Sequence, residues 1–131
     1  MAIVVALRTR FAVDLAVLQE LFRAAWGEPK AAYERVLERS LTYVGAFSVG
    51  ALVGFVNVAW DGGVHAFLLD TTVHPAFQRR GIGTRLVRTA IDETSNRKVE
   101  WLHADFGEHL DGFYQSCGFD PTTAGLIRLL T

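Results

Sequence analysis

The chain has 131 residues, half of them hydrophobic by type and 21 % charged, enough to build a core without metals or disulfides and too apolar for wholesale disorder. A formal net charge of −1 excludes a chain built mainly to neutralise nucleic acid or an anionic membrane. Cys117 is the only cysteine, which excludes an intrachain disulfide and a cysteine-rich zinc site and suits a reducing, cytoplasmic setting.

Ile3 to Leu7 reads as a first strand, since its apolar run is too short for a secretory leader and no basic region precedes it. From Phe11 to Trp26, apolar residues at Phe11, Leu15, Leu18, Phe22 and Ala25 repeat at the spacing of one helix face. Gly27-Glu28-Pro29 breaks that helix, and Pro29 opens the next, which runs to about Arg39. The stretch from Ser40 to Trp60 carries no charge and is long enough to cross a bilayer. Its glycines, Ser48, Asn57 and the β-branched and aromatic residues between them favour two strands meeting near Ser48 to Gly50. A turn at Asp61-Gly62-Gly63 follows.

A strand from Val64 to Val73 is ended by Pro75, which lacks a backbone donor. Ile82, Leu86, Val87, Ala90 and Ile91 form the buried stripe of a further helix, with Asn96 just past its end. Val99 to Phe106 is a strand, Glu108 to Cys117 a short helix stopped by Gly118, and Leu126 to Leu130 a last strand. The order β-α-α-β-β-β-α-β-α-β predicts one α/β domain over residues 1–131. Its sheet is mixed: hairpins first, then a parallel, right-handed β-α-β crossover, with helices on the faces.

The most informative segment runs from Thr72 to Thr84. A strand ends at Val73-His74-Pro75, Gln78-Arg79-Arg80-Gly81-Ile82-Gly83 follows, and a helix begins. Gly81 and Gly83 allow the backbone to curl and a ligand to approach closely. The first amides of the next helix lack intrahelical acceptors and sit at the positive end of its dipole, so a diphosphate suits them. Arg79, Arg80, Arg85 and Arg88 have no acidic residue among them, giving this region a charge opposite to the chain's total. It is neither a Walker loop, for want of G-K-[ST], nor a Rossmann fingerprint, for want of the third glycine.

These residues resemble the GNAT superfamily of acyl-CoA-dependent N-acetyltransferases. Gln78, Gly81 and Gly83 match its Q/R-x-x-G-x-G/A pyrophosphate loop, after a V-x-P match at Val73 and Pro75. Phe113-Tyr114-Gln115-Ser116-Cys117-Gly118-Phe119 is similar to its F/L-Y-x-x-x-G-F element, and Leu52-Val53-Gly54-Phe55 to its G-x-x-V-G-F strand. The resemblance implies a mostly antiparallel sheet with one parallel, splayed strand pair. It also implies transfer of an acetyl group from acetyl-CoA to an amine by direct attack in a ternary complex, without a metal. On that resemblance, Thr72, Val73, Gln78, Arg79, Arg80, Gly81, Ile82, Gly83 and Thr84 hold the coenzyme, with the amides at Thr72 to Val73 receiving the thioester oxygen.

Tyr114 matches the family's tyrosine that protonates the leaving CoA thiolate, although its place on the stripe of Leu110, Phe113, Tyr114 and Cys117 also suits plain packing. The attacking amine must be neutral, since an alkylammonium with a pKa of about 10 has no lone pair to offer. Phe67 occupies a position where many members carry a glutamate, leaving Asp70, His103 and Asp105 as candidate bases. Asp70 lies in an otherwise apolar strand and is either functional or paired. His103 and Asp105 share strand parity with Trp101. Gly107 stands where the family often has an asparagine. His65, His74 and His109 read as surface or loop residues, and Cys117 as a small core residue.

Between Glu100 and Asp120 there are five acidic residues and no Lys or Arg, which suits either a cationic acceptor or a solvated face. Trp26, Tyr33 and Trp60 are either aromatic walls or core. A small-molecule amine is the expected acceptor; a peptide or protein amine is the alternative, as is a non-catalytic acyl-CoA-binding module suggested by Phe67 and Gly107. No nucleic acid or membrane partner is expected, and a homodimer is plausible by family resemblance alone.

Overall fold

The computed structural model describes residues 4–130. Its elements are β1 (Ala6–Thr9), α1 (Leu15–Trp26), α2 (Tyr33–Glu38), β2 (Ser40–Ser48), β3 (Ala51–Trp60), β4 (His65–Val73), α3 (Ile82–Ser95), β5 (Trp101–Ala104) and α4 (Asp111–Ser116). Short 3-10 turns at Pro75–Phe77 and Glu108–Leu110 precede α3 and α4. The strands form a sheet in the order β1-β2-β3-β4-β5, antiparallel except for the parallel pair β4 and β5. The uncharged stretch is therefore the β2–β3 hairpin, and among the described residues no helix is long and apolar enough to cross a membrane.

Local chemistry sets most boundaries. Asp14 caps α1 by accepting from the amides of Ala16 and Val17, and Gly27 ends it in a left-handed conformation. Leu18, Leu21 and Phe22 of α1 pack with Tyr33 and Phe55 into a core on one face of the sheet. At full burial, Leu18 and Phe22 each contribute roughly 2 kcal/mol. On the other face, Ile82, Leu86, Val87 and Ala90 of α3 meet Val44, Ala46, Val53, Val56 and Val58, and α4 adds Tyr114. Gly54 makes that approach possible, since a Cβ there would lie 2.9 Å from Leu86 Cδ1 and 3.2 Å from Ala46 Cβ.

Four expectations change. Pro29 does not open α2; the helix starts at Tyr33 because Ala32 is left-handed and the Lys30 backbone is bonded to the Gln19 side chain instead. The first strand runs from Ala6, with Val4 and Val5 outside it, and Ile3 lies outside the described residues. β5 is confined to Trp101–Ala104, since only these residues pair with β4. No strand forms over Leu126 to Leu130, where Leu126, Ile127, Leu129 and Leu130 are exposed. That run is apolar on both would-be faces, and a strand requires a ladder partner it does not find.

The feature that positions the site is a bulge in β4. Thr72 pairs with Phe55 and Leu69 with Asn57, so Asp70 and Thr71 together oppose one residue of β3. Ala66, Leu68, Thr71 and Val73 thus face α3 and α4, while Asp70 and Thr72 turn to α1 and α2. Pairing of β4 with β5 stops at Leu68 and Ala104, and the strands diverge beyond it.

Candidate active site

A cleft of about 610 Å³ opens beside the end of β4, past its last pair with β5. Its walls are Thr71 and Val73 of β4, the loop from Phe77 to Gly81, the first turn of α3, Trp26 of α1, and His109, Leu110, Phe113 and Tyr114. Tyr114 is buried, stacked on Phe106 with centroids 4.4 Å apart, and its hydroxyl lies 3.5 Å from Thr71 Oγ1. The phenol therefore faces the bulge from across the splay.

The cradle is built from backbone. Arg79 and Gly81 have φ of 64° and 79°, so the loop curls and presents the start of α3 to the cleft. Gly81 caps α3 with no side-chain acceptor, leaving the first amides of the helix without a capping partner. Gln78 donates to the Val73 carbonyl and ties the loop to the end of β4, while His74 accepts from the Ala76 amide. A diphosphate fits donors of this kind, and the space beside Gly81 is open, with no atom within 4 Å of where a Cβ would stand.

Among the expected coenzyme residues, Val73, Gln78, Arg79, Gly81, Ile82, Gly83 and Thr84 line the cleft, and Thr72 and Arg80 do not. The Thr72 hydroxyl is buried between Trp26 Nε1, which donates to it, and the Asp70 carbonyl, to which it donates. Arg80 lies over the Phe77 ring instead. Arg85 is also engaged elsewhere, donating to the Val5 carbonyl.

The three candidate bases are not brought into the cleft. Asp70 carries an ion pair with Lys30 at 3.3 Å and accepts from the Tyr33 hydroxyl at 2.9 Å. Burial pushes the Tyr33 phenol well above its ordinary value, and the Asp70 charge and hydrogen bond add to that, so it stays a donor. His103 lies on the α1 side of the sheet, 2.8 Å from His65 Nδ1 and stacked on Phe67. Asp105 is exposed just past β5 and, among the described residues, has no hydrogen bond or ion pair.

Sequence reasoning missed Thr71 and His109 as cleft residues and left Trp26 open. Thr71 faces Tyr114 only because the bulge shifts strand parity, which no periodicity reveals. His109 follows from the 3-10 turn before α4. Trp26 and Trp60 are partly exposed, whereas Tyr33 is core. Among the described residues no three His, Cys, Asp or Glu side chains group as metal ligands.

Residues 15–119, which include the parallel strand pair, the amide cradle at the start of α3 and Tyr114, match the acetyltransferase (GNAT) family model. The chain belongs to the GNAT acetyltransferase family. It is similar in structure to a GNAT family acetyltransferase, SP0256, from Streptococcus pneumoniae TIGR4, with TM-score 0.84, 26 % identity and 97 % and 98 % of the two chains covered. The aminoglycoside N-acetyltransferase AAC(6')-Iy in complex with CoA shares the fold at TM-score 0.77 and 19 % identity, covering 98 % of this chain and 95 % of that one. A mycothiol acetyltransferase of Mycobacterium ulcerans is 37 % identical over 51 residues, which are 39 % of this chain and 16 % of that protein. The match thus spans about a sixth of that relative's length.

Proposed function

We propose that the chain moves the acetyl group of acetyl-CoA to a primary amine on a small molecule by direct attack. The observation that carries this reading is the meeting, in one cleft, of the α3 amide cradle with the Tyr114 phenol and the β4 bulge. The cradle loop from Gln78 to Thr84 receives the pyrophosphate, with Arg79 beside it. The pantetheine arm then runs between β4 and β5 towards Tyr114, which supplies a proton to the departing thiolate. Backbone amides at the bulge, around Thr72 and Val73, polarise the thioester oxygen.

Of the candidate bases, Asp105 has the unengaged carboxylate. It takes the ammonium proton through solvent, whereas Asp70 is held by Lys30 and Tyr33 and His103 by His65. The test pairs calorimetry with coenzyme A and thiol release over a panel of amines. Binding with thiol release is expected, and Tyr114→Phe should lower turnover about 100-fold while coenzyme affinity stays within about 2-fold. Absence of heat with coenzyme A overturns the reading. Binding without thiol release from small amines but with it from peptide amines moves the acceptor to that class, and silence with both favours a non-catalytic acyl-CoA module.

A further inference from the structure

On the far side of Trp26 from the cleft, the chain has built a cation site and filled it with its own lysine. The Lys30 ammonium lies 3.3 Å from Asp70 Oδ1 and 5.7 Å from the ring centroids of both Phe22 and Trp26. Tyr33 donates to the other Asp70 oxygen, aiming the carboxylate. One carboxylate and two aromatic faces are a complete recognition set for an ammonium.

Lys30 is mounted so that its head can leave. Its backbone is clamped, with its N–H donating to Gln19 Oε1 at 2.8 Å and its carbonyl accepting from Gln19 Nε2 at 2.6 Å. The side chain is a third exposed, and among the described residues its charge has no other ion-pair partner than Asp70. The site also adjoins the cleft: Trp26 forms a wall of both, and Trp26, Thr72 and Asp70 are joined by hydrogen bonds through the bulge.

We propose that this is the anchoring subsite for a second, charged nitrogen of the acceptor, and that Lys30 is a tethered competitor which the acceptor displaces. The inference rests on the acetyl-transfer reading above and narrows its substrate to molecules with two amines. A nitrogen seated on Asp70 keeps its proton, because the opposite charge favours the charged form. It is therefore the anchor, and a separate neutral amine reaches past Trp26 to the thioester. Lys30 occupying the site about nine-tenths of the time weakens an incoming ammonium about tenfold.

The test needs no turnover. n-Butylammonium chloride is titrated into the intact chain while the Trp26 indole N–H resonance, assigned with Trp26→Phe, is followed by NMR; n-butanol is the neutral control. In Lys30→Met, which keeps the stem over the rings, half-saturation should fall about tenfold relative to the unsubstituted chain, and Lys30→Gln should give the same ordering. Adding Asp70→Asn to Lys30→Met should abolish the gain. An unchanged or higher half-saturation in both Lys30 variants, equal responses to butanol and butylammonium, or indifference to Asp70→Asn each overturns the proposal. Failure of coenzyme A to bind would sink the acetyl-transfer reading and leave these titrations unaffected, so the two can fail separately.

Discussion

Asp70 sits at φ +59°, a left-handed conformation that Asp and Asn tolerate better than other side chains. The bulge turns its carboxylate towards Tyr33 and Lys30, so the acid that an otherwise apolar strand offered as either functional or paired is paired. Tyr33 pays the electrostatic consequence: its phenol ionises far less readily in the folded chain than in the unfolded one, chiefly through burial. Above about pH 10 the unfolded chain loses that proton and the folded chain keeps it, so stability is full below that pH and falls as pH rises. We expect denaturation midpoints measured from pH 9 to 11.5 to drop, with this residue contributing a slope near 1.4 kcal/mol per pH unit. Tyr33→Phe should flatten that part of the curve; an equally steep decline would show that other groups control it.

For the elements, the cradle loop and α3 make opposite demands on their glycines. At Gly81 the requirement is conformational, because φ is +79° and a side chain meets no neighbour there. Gly81→Val should weaken coenzyme A binding at least tenfold in calorimetry through strain in the curled loop, while the core is left intact. At Gly54 the requirement is steric, since a methyl group would stand 2.9 Å from Leu86 Cδ1 and 3.2 Å from Ala46 Cβ and both would have to give way. Gly54→Ala should cost about 1–3 kcal/mol in urea unfolding, as overpacking between β3 and α3. The α1 cap is a third, simpler case: Asp14→Ala should cost about 1 kcal/mol in the same measurement.

Across the whole molecule, the two cores lie on opposite faces of the sheet and the cleft lies where β4 leaves β5. Trp26 lines the cleft and also lies beside the Lys30 ammonium. A ligand that binds only the folded chain stabilises it by mass action, and coenzyme A at 100 times its Kd should add about 2.7 kcal/mol. A thermal melt should then rise by roughly 10 °C. An unmoved melting temperature at that concentration would contradict coenzyme binding. Hydrogen exchange should be slowest in β2, β3 and α3, and fastest over residues 120–130, whose backbone joins no helix or strand.

Most of the architecture was readable along the chain because it is local. The α1 stripe, the uncharged hairpin, Pro75 after β4, and the ordered Gln78, Gly81 and Gly83 before an amphipathic helix each declare themselves within about twenty residues. Gln78, Gly81 and Gly83, with Tyr114, carried much of the family resemblance, and all four line the cleft. The surroundings of the bulge were not readable, since their contacts join residues far apart in sequence. Lys30 meets Asp70, Trp26 meets Thr72 and Tyr114 meets Thr71 only when three elements pack around one bulge. One extra residue in β4 reverses the facing of every side chain after it, and that insertion is set by pairing with β3 rather than by any pattern in β4 itself.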